Sequence, residues 1–236
     1  MRVILPVAQI FYSRLNIGID LRPKLHTTRL WVIVPPVTIE DGFVNFTHIK
    51  NTILFYRTVR MSLSIIMGNM FSGKTSELIR RLKRLKILEK RIVVVNSAKD
   101  TRSPEQVLKT HDNVKFDCYK VLDLYELLNK DAFEDAEIVA IDEAQFFPNL
   151  KKFVECCLDM GKDVVIAGLD ADAFQRKWGE ILDCVPIACE VTKLSALCKY
   201  CRSGRPGPFT KRIVENTDLE LIGGSDMYVA VCRKHL

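Results

Sequence analysis

An eight-residue motif constrains the fold of this chain more than any other feature. The run GNMFSGKT matches the pattern G-x-x-x-x-G-K-[ST]. It follows the apolar run Ser62–Met67, which predicts a buried strand, and it precedes leucines at helical spacing, which predict a helix from Lys74 to about Lys90. Glycines let the main chain approach phosphates, and the free N–H groups at a helix start bind anions. The motif therefore predicts a phosphate-binding loop, whose residues are Gly68, Asn69, Met70, Phe71, Ser72, Gly73, Lys74 and Thr75.

The charged and hydroxyl groups around this loop indicate a nucleoside triphosphate with Mg²⁺. Lys74 supplies a compact cation for the β- and γ-phosphates, and Thr75 offers a hydroxyl to Mg²⁺. Asp142 and Glu143 follow the apolar run Ile138–Ile141, where open α/β sheets place their ligands. Asp142 fits the acidic partner of Mg²⁺. Glu143 is a candidate general base for an attacking hydroxyl.

Three further apolar runs predict strands, and the segment between the last two predicts a helix. The strands are Ile92–Val95, Glu137–Ile141 and Asp163–Leu169, and the helix is Asn149–Met160, ended by Gly161. Strands that alternate with helices indicate an α/β fold with a largely parallel sheet.

Paired cysteines near the carboxyl end predict a metal site. Cys198 and Cys201 form one CxxC pair, and Cys232 and His235 form a matching pair after 30 intervening residues. A closed Cys₃His set suits a structural, tetrahedral Zn²⁺. The alternative is a redox CxxC with two unrelated residues. The other five cysteines lie in apolar company and are expected in the core: Cys118, Cys156, Cys157, Cys184 and Cys189.

The basic charge of the chain is concentrated at its start. Residues 1–60 hold eight Lys/Arg and three Asp/Glu, whereas residues 61–236 hold 27 and 26. A nearly neutral main body argues against a broad nucleic-acid surface. Apolar runs are too short to span a membrane. Residues 1–60 are interpreted as a poorly ordered extension, an organelle leader, or a segment absent from a mature protein that starts at Met61.

From Ser62 onward the chain resembles the type II thymidine kinases, a zinc-containing, tetrameric family of animals, bacteria and poxviruses. Seven stretches carry the likeness in family order: MGNMFSGKTSELIRRLKR, AKDTR, IDEAQFFP, AGLDADAFQRK, KLSALCKYC, FTKR and GGSDMYVAVCRKH. The SDMYVAVCRK segment looks similar to the poxviral branch. The resemblance implies a RecA-like P-loop domain over 61–192, with a largely parallel sheet, and a small zinc-binding lasso subdomain over 193–236.

The resemblance also implies a role for individual residues. Glu143 would be the general base on the 5′-hydroxyl of thymidine, with Asp100, Arg102, Asp142 and Gln145 near ATP. The nucleoside would contact seven residues: Met70, Phe146, Phe174, Thr210, Leu219, Leu221 and Tyr228. The implied partners are ATP, thymidine and three further copies of the chain, with no nucleic acid and no membrane. The implied setting is deoxynucleotide salvage in the cytoplasm, with Mg²⁺ and structural Zn²⁺.

Four departures from the family pattern stand out. Asn69 replaces the usual proline, Ala144 replaces the usual glycine, and His235 stands where many relatives have cysteine. Around residues 174–179 the spacing is altered, which leaves open whether Phe174 or Trp178 packs on the base.

Three other functions remain open at this point. The acceptor could be deoxyuridine or a broader set of deoxynucleosides. A nucleic-acid-dependent P-loop ATPase would use the metal module to grip a polymer. A catalytically inactive binding protein conflicts with the presence of Lys74, Thr75, Asp142 and Glu143 together.

Overall fold

The structure of the chain is a computed structural model, and it describes residues 61–100, 107–109, 115–215 and 223–236. The predictions for residues 1–60 and for Arg102, Leu219 and Leu221 lie outside the described residues.

Within the described residues a six-stranded parallel sheet forms the centre of the fold. Its strands are β1 (Leu63–Gly68), β2 (Ile92–Ser97), β5 (Tyr119–Val121), β6 (Ile138–Ile141), β7 (Asp163–Gly168) and β8 (Glu190–Leu194). Their spatial order is β5-β2-β6-β7-β1-β8, and every neighbouring pair is parallel. The predicted α/β class with a largely parallel sheet is therefore confirmed. All carboxyl ends meet at one edge, where ligands bind in such sheets.

Three short antiparallel pairs accompany the sheet in the part of the chain that the structure describes. They are β3 (Val107–Lys109) with β4 (Lys115–Asp117), β9 (Ala196–Leu197) with β10 (Pro206–Gly207), and β11 (Phe209–Arg212) with β12 (Tyr228–Val231). The last two pairs, with the 3₁₀ turn Arg233–His235, make up the cysteine-bearing C-terminal part. We call residues 195–236 the metal subdomain.

Helices cover both faces of the sheet. They are α1 (Lys74–Ile87), α2 (Asp131–Asp135) and α3 (Leu150–Asp159), with 3₁₀ segments at Leu124–Asn129, Ala144–Phe146 and Ile181–Ile187. Of the described helices, none is both long and apolar enough to cross a bilayer.

The core divides into two layers because successive strand residues point to opposite faces. Val93 and Val95 of β2 pack in the layer beneath α3, whereas Val94 packs in the layer beneath α1. The strands are apolar on both sides since both sides are covered, as expected for a parallel sheet.

The sequence located four of the six sheet strands to within about two residues. The strands β5 and β8 were missed. β8 is an edge strand whose residues are mostly exposed or half-exposed, so its apolar signal is weak. Helix α1 ends at Ile87 rather than near Lys90, because Glu89 turns the chain with a φ of 55°.

Candidate active site

The phosphate loop lies at the carboxyl end of β1, as its motif predicts. Gly73 has a φ of 83° and gives α1 its start at Lys74. Lys74 Nζ and Ser72 Oγ each donate to the main-chain oxygen of Asn69, both at 2.8 Å. The loop thus closes on itself through one carbonyl, which holds the buried ammonium of Lys74 inside the turn.

Asp142 joins the phosphate loop from the far side of β7. Thr75 Oγ1 donates to Asp142 Oδ2 at 2.9 Å, although β7 separates β1 from β6 in the sheet. The main-chain N–H of Asp142 donates to Val95 O of β2 at 2.9 Å. These contacts bring together the hydroxyl and the carboxylate that the motif assigns to a magnesium nucleotide.

Glu143 is held in an uncommon conformation by Gln145. Its φ of 51° lies in the left-handed region, and only 8% of the residue is exposed. Gln145 Nε2 donates to Glu143 Oε2 at 2.6 Å, and Leu169 N donates to Gln145 Oε1 at 2.9 Å. Gln145 therefore fixes one carboxylate oxygen of Glu143 relative to the end of β7. Strained backbone held by surrounding contacts is frequent at active sites.

The packing around Gln145 leaves little room for movement. A Cβ atom at Gly168 would lie 2.6 Å from Gln145 Oε1. A Cβ atom at Gly179, whose φ is 63°, would lie 2.5 Å from Gln145 O. Gly179 therefore requires glycine, and a side chain at Gly168 would displace the Gln145 amide. This close packing keeps the amide aimed at Glu143.

Burial raises the pKa of Asp142 to about 7. The negative charge of Glu143 adds to this effect, and the hydrogen bond from Thr75 opposes it. A cation bound beside Asp142 would favour its ionised form.

The raised pKa of Asp142 predicts an unusual pH dependence of stability in the protein without magnesium or nucleotide. Between the ordinary value of 3.8 and about 7, the folded state binds one proton more than the unfolded state. The free energy of unfolding should therefore fall as pH rises through this window, by an amount that Asp142→Asn removes. Urea unfolding at pH 5 and pH 8 measures the difference.

Asp159→Asn is the matched control for this experiment, since it makes the same change at an exposed carboxylate. An Asp142→Asn variant that keeps the wild-type pH slope would contradict the assignment.

Asp100 lies at the carboxyl end of β2, held by two neighbours. Asn96 Nδ2 donates to Asp100 Oδ2 at 3.2 Å, and Lys120 Nζ donates to Asp100 O at 2.6 Å. Sequence reasoning missed Asn96 and Lys120. Asn96 carried a signal, because an amide that directly follows the buried apolar run of β2 needs a partner.

Two separate aromatic groups border the site. Phe174 is 46% exposed, and its ring faces the guanidinium groups of Arg176 at 4.9 Å and Arg212 at 5.5 Å. Arg212 also donates to Tyr228 Oη at 3.1 Å. Phe174 is thus associated with Tyr228 of the metal subdomain.

The second aromatic group holds the other candidates. Trp178 meets Phe146 edge to face, with ring centroids 5.2 Å apart, and Lys99 Nζ lies 5.9 Å from the Phe146 ring centroid. The structure therefore associates Trp178 with Phe146, and Phe174 with Tyr228.

Thr210 ties the metal subdomain to the phosphate loop. The main-chain N–H of Met70 donates to Thr210 Oγ1 at 3.0 Å, although 140 residues separate them in sequence. A cavity of about 270 Å³ lies beside this contact, lined partly by Thr210, Asn69, Asp170 and Lys193. Phe71 of the same loop is turned outward and exposed.

The four predicted metal ligands form one cluster. His235 Nδ1 lies 3.4 Å from Cys232 Sγ and 3.5 Å from the Sγ atoms of Cys198 and Cys201. All four ligand atoms lie within 4.8 Å of one another. Tetrahedral Zn²⁺ with ordinary bond lengths places its ligand atoms about 3.5–3.8 Å apart. The cluster could therefore hold a structural metal ion.

The proton affinities of the thiols also fit a cation. Desolvation opposes ionisation of Cys198, but backbone N–H groups of Cys232 and Cys201 outweigh it and lower the pKa of Cys198 to about 5. Desolvation and the neighbouring sulfur atoms raise the pKa of Cys201 to about 11. A central dication would offset the repulsion among thiolates.

The remaining five cysteines follow the sequence prediction with one exception. Cys118, Cys157 and Cys184 are buried, and Cys156 is partly so. Cys189 was expected in the core but is exposed, because it directly precedes the exposed edge strand β8.

The structure thus brings most predicted site residues to one edge of the sheet. The residues that it links directly to one another are Thr75 with Asp142, Glu143 with Gln145, and Met70 with Thr210. Gln145, which is predicted to lie near ATP, donates to Glu143 and accepts from Leu169 N at the end of β7. Phe146 and Phe174 lie in different aromatic groups.

Comparison with known proteins shows the family of this chain. The family model described as "Thymidine kinase" matches residues 61–236. Thymidine kinase a of Arabidopsis thaliana is 43% identical over 180 residues, which cover 74% of each chain. Thymidine kinase 1 of Dictyostelium discoideum is 41% identical over 176 residues, which cover 72% of this chain and 75% of the relative.

A viral relative matches over nearly its whole length. The thymidine kinase of Myxoma virus (strain Uriarra) is 42% identical over 173 residues, which cover 73% of this chain and 94% of the relative. The eukaryotic and viral relatives are therefore identical to this chain to a similar degree.

Proposed function

The chain belongs to the thymidine kinase family, and from this we propose that it transfers the γ-phosphate of ATP to the 5′-hydroxyl of thymidine. The observation that carries the proposal is the contact between the phosphate loop and the acidic pair, through Thr75 and Asp142. It joins a triphosphate site to a carboxylate, Glu143, that can accept the proton of an alcohol.

The phosphate loop binds and orients ATP in this proposal. Its N–H groups at the start of α1 face the β- and γ-phosphates, with Lys74 as the cation. In the structure the Lys74 ammonium donates to the Asn69 carbonyl oxygen. When ATP binds, the ammonium moves from this carbonyl to the phosphates. Magnesium, when bound with ATP beside Thr75 and Asp142, neutralises charge on the transferring phosphoryl group.

Glu143 takes the proton in this proposal. Gln145 Nε2 donates to Glu143 Oε2 at 2.6 Å, and in this proposal Oε1 accepts a hydrogen bond from the 5′-hydroxyl. The hydroxyl oxygen attacks the γ-phosphorus in line as the bond to the β-phosphate oxygen breaks. The products are thymidine monophosphate and ADP, and the proton passes to Glu143.

Residues of the metal subdomain hold the nucleoside in this proposal. Thr210 and Tyr228 lie on β11 and β12, and Tyr228 is linked through Arg212 to the exposed ring of Phe174. An exposed aromatic ring beside buried polar groups suits a flat base. We propose Phe174 rather than Trp178 as the stacking residue, since Trp178 already packs on Phe146.

Zinc is proposed as the metal of the cluster, with a structural role. Three thiolates and one imidazole form a closed set with no open position for water. Cys232 directly follows β12, with His235 three residues further on, and Cys198 directly follows β9, so the ion would anchor both hairpins. The homotetramer and the cytoplasmic location that the resemblance implies stay predictions.

A transfer assay with the full chain tests the proposal. Purified protein with magnesium and ATP should phosphorylate labelled thymidine at its 5′-position, and a panel of deoxyuridine, deoxycytidine and purine deoxynucleosides measures acceptor breadth. Deoxythymidine lacking the 5′-hydroxyl is the control acceptor. ATP hydrolysis that depends on added DNA or RNA, with no phosphorylated nucleoside, would contradict the proposal in favour of a polymer-dependent ATPase.

A further inference from the structure

Asn69 makes contacts that the phosphate-loop motif does not require. Its position is a free "x" in the motif, yet only 3% of the residue is exposed. Its side-chain Nδ2 donates to Gly207 O at 2.9 Å, and its Oδ1 accepts from Ala196 N at 3.2 Å. Both partners belong to the metal subdomain, more than 120 residues away in sequence.

The chemistry of these partners fixes the orientation of the amide. A carbonyl oxygen only accepts and a main-chain N–H only donates, so a flipped Asn69 amide would lose both bonds. Gly207 and Ala196 are paired directly across β9 and β10. Asn69 thus bridges the two strands of one hairpin at a single point.

That hairpin carries half of the metal ligands. Cys198 directly follows β9, and its N–H donates to Arg205 O at 2.8 Å across the hairpin. A Cβ atom at Gly207 would lie 2.8 Å from Cys198 Cα, so the two residues are in close contact. Asn69 therefore contacts Gly207, which in turn contacts Cys198 of the metal cluster.

The main chain of Asn69 faces the opposite way. Its carbonyl oxygen accepts from Lys74 Nζ and Ser72 Oγ, both in the phosphate loop. The main chain of Asn69 therefore contacts the Lys74 ammonium, which is proposed to bind ATP. Its side chain contacts the hairpin that carries Cys198 and Cys201. The proline usual at this position in the family could make neither side-chain bond.

We propose that Asn69 is a positioning residue that couples metal binding in the subdomain to the geometry of the phosphate loop. The metal fixes the β9–β10 hairpin, the hairpin fixes the Asn69 amide, and the amide holds the loop in its nucleotide-binding shape. The inference rests on the proposed function only for ATP as the nucleotide. It predicts positive coupling between zinc and ATP, which by linkage is equal in both directions.

The size of the coupling follows from the bonds involved. Two buried hydrogen bonds of ordinary net strength account for about 10-fold in an equilibrium constant. The Met70–Thr210 bond is a second link between the same two parts, so removal of the Asn69 bonds should leave a smaller coupling of about 2- to 3-fold.

Zinc affinity of the full chain, measured by competition with a chelator of known affinity, tests the proposal without any catalytic turnover. The magnesium complex of the β,γ-imido analogue of ATP should raise zinc affinity about 20- to 30-fold in the wild type, the product of the two contributions. Asn69→Pro and Asn69→Ala should reduce this factor to about 2- to 3-fold. Lys199→Ala should retain the full factor, since Lys199 is exposed on the same turn and makes no contact with Asn69 through its side chain.

Two results would overturn the proposal. One is a wild-type chain whose zinc affinity is the same with and without the analogue, a result that needs no folded variant. The other is Asn69→Pro with undiminished coupling. Direct titration of the analogue shows whether the nucleotide binds. A chain whose zinc and nucleotide affinities are coupled, but which phosphorylates no nucleoside, would refute the proposed function and leave the coupling proposal standing.

Discussion

Replacement of Glu143 by glutamine should lower kcat for thymidine phosphorylation by roughly 10²–10⁴-fold, the usual contribution of a positioned general base. The amide keeps the shape of the side chain and can still accept from Gln145 Nε2 through its oxygen. It can no longer take a proton from the 5′-hydroxyl. The KM values for ATP and thymidine should change little, because the loss falls on the transition state.

The matched control for this prediction is Glu155→Gln, which makes the same change on the exposed face of α3. Initial rates with labelled thymidine, at saturating ATP, measure the effect. A Glu143→Gln enzyme with wild-type kcat would refute the role of Glu143 as base.

Gln145→Leu should give a smaller fall in kcat, since it frees the carboxylate to move without removing it.

Replacement of Cys232 by serine should release the metal and lower kcat/KM for thymidine by about 100-fold or more. The reason is geometric: Cys232 anchors β12, and β11 and β12 carry Thr210 and Tyr228 to the edge of the site. Displacement of a positioned group by about 1 Å already costs about 100-fold. Thermal stability should fall as well, because metal binding contributes folding free energy to such modules.

Zinc content by atomic absorption, thermal unfolding and kcat/KM together measure this second prediction. Cys189→Ser is the control, since Cys189 is exposed and lies outside the cluster. A Cys232→Ser protein that retains one zinc per chain and wild-type kcat/KM would contradict both the ligand assignment and the bracing role of the metal.

Sequence alone gave the elements of the parallel sheet that carry strong patterns. The strands β1, β2, β6 and β7 are apolar on both faces, and their runs are visible without any tertiary context. The short strand β5 and the edge strand β8 are half-exposed, so hydrophobicity marks neither of them. Their place in the sheet depends on pairing with strands distant in sequence.

The same division holds within the candidate site. Lys74, Thr75, Asp142, Glu143 and the four candidate metal ligands were predicted from the sequence alone, since each belongs to a short motif whose spacing reflects its chemistry. The hydrogen bond from Gln145 to Glu143 was not predicted, because the sequence around an amide does not show which group it will bond. Only the approach of β7 shows that it positions Glu143.

What the amino-acid order determines by itself is therefore the local chemistry: a phosphate loop between strand and helix, an acidic pair at a strand end, and two ligand pairs for a metal. What only the tertiary structure decides is which of these groups touch. Asn69 and Gly207 are 138 residues apart in sequence, and Met70 and Thr210 are 140 residues apart. No local pattern encodes such contacts. They form because buried polar groups need hydrogen-bond partners, and the packing of the whole fold determines which groups lie close enough to pair.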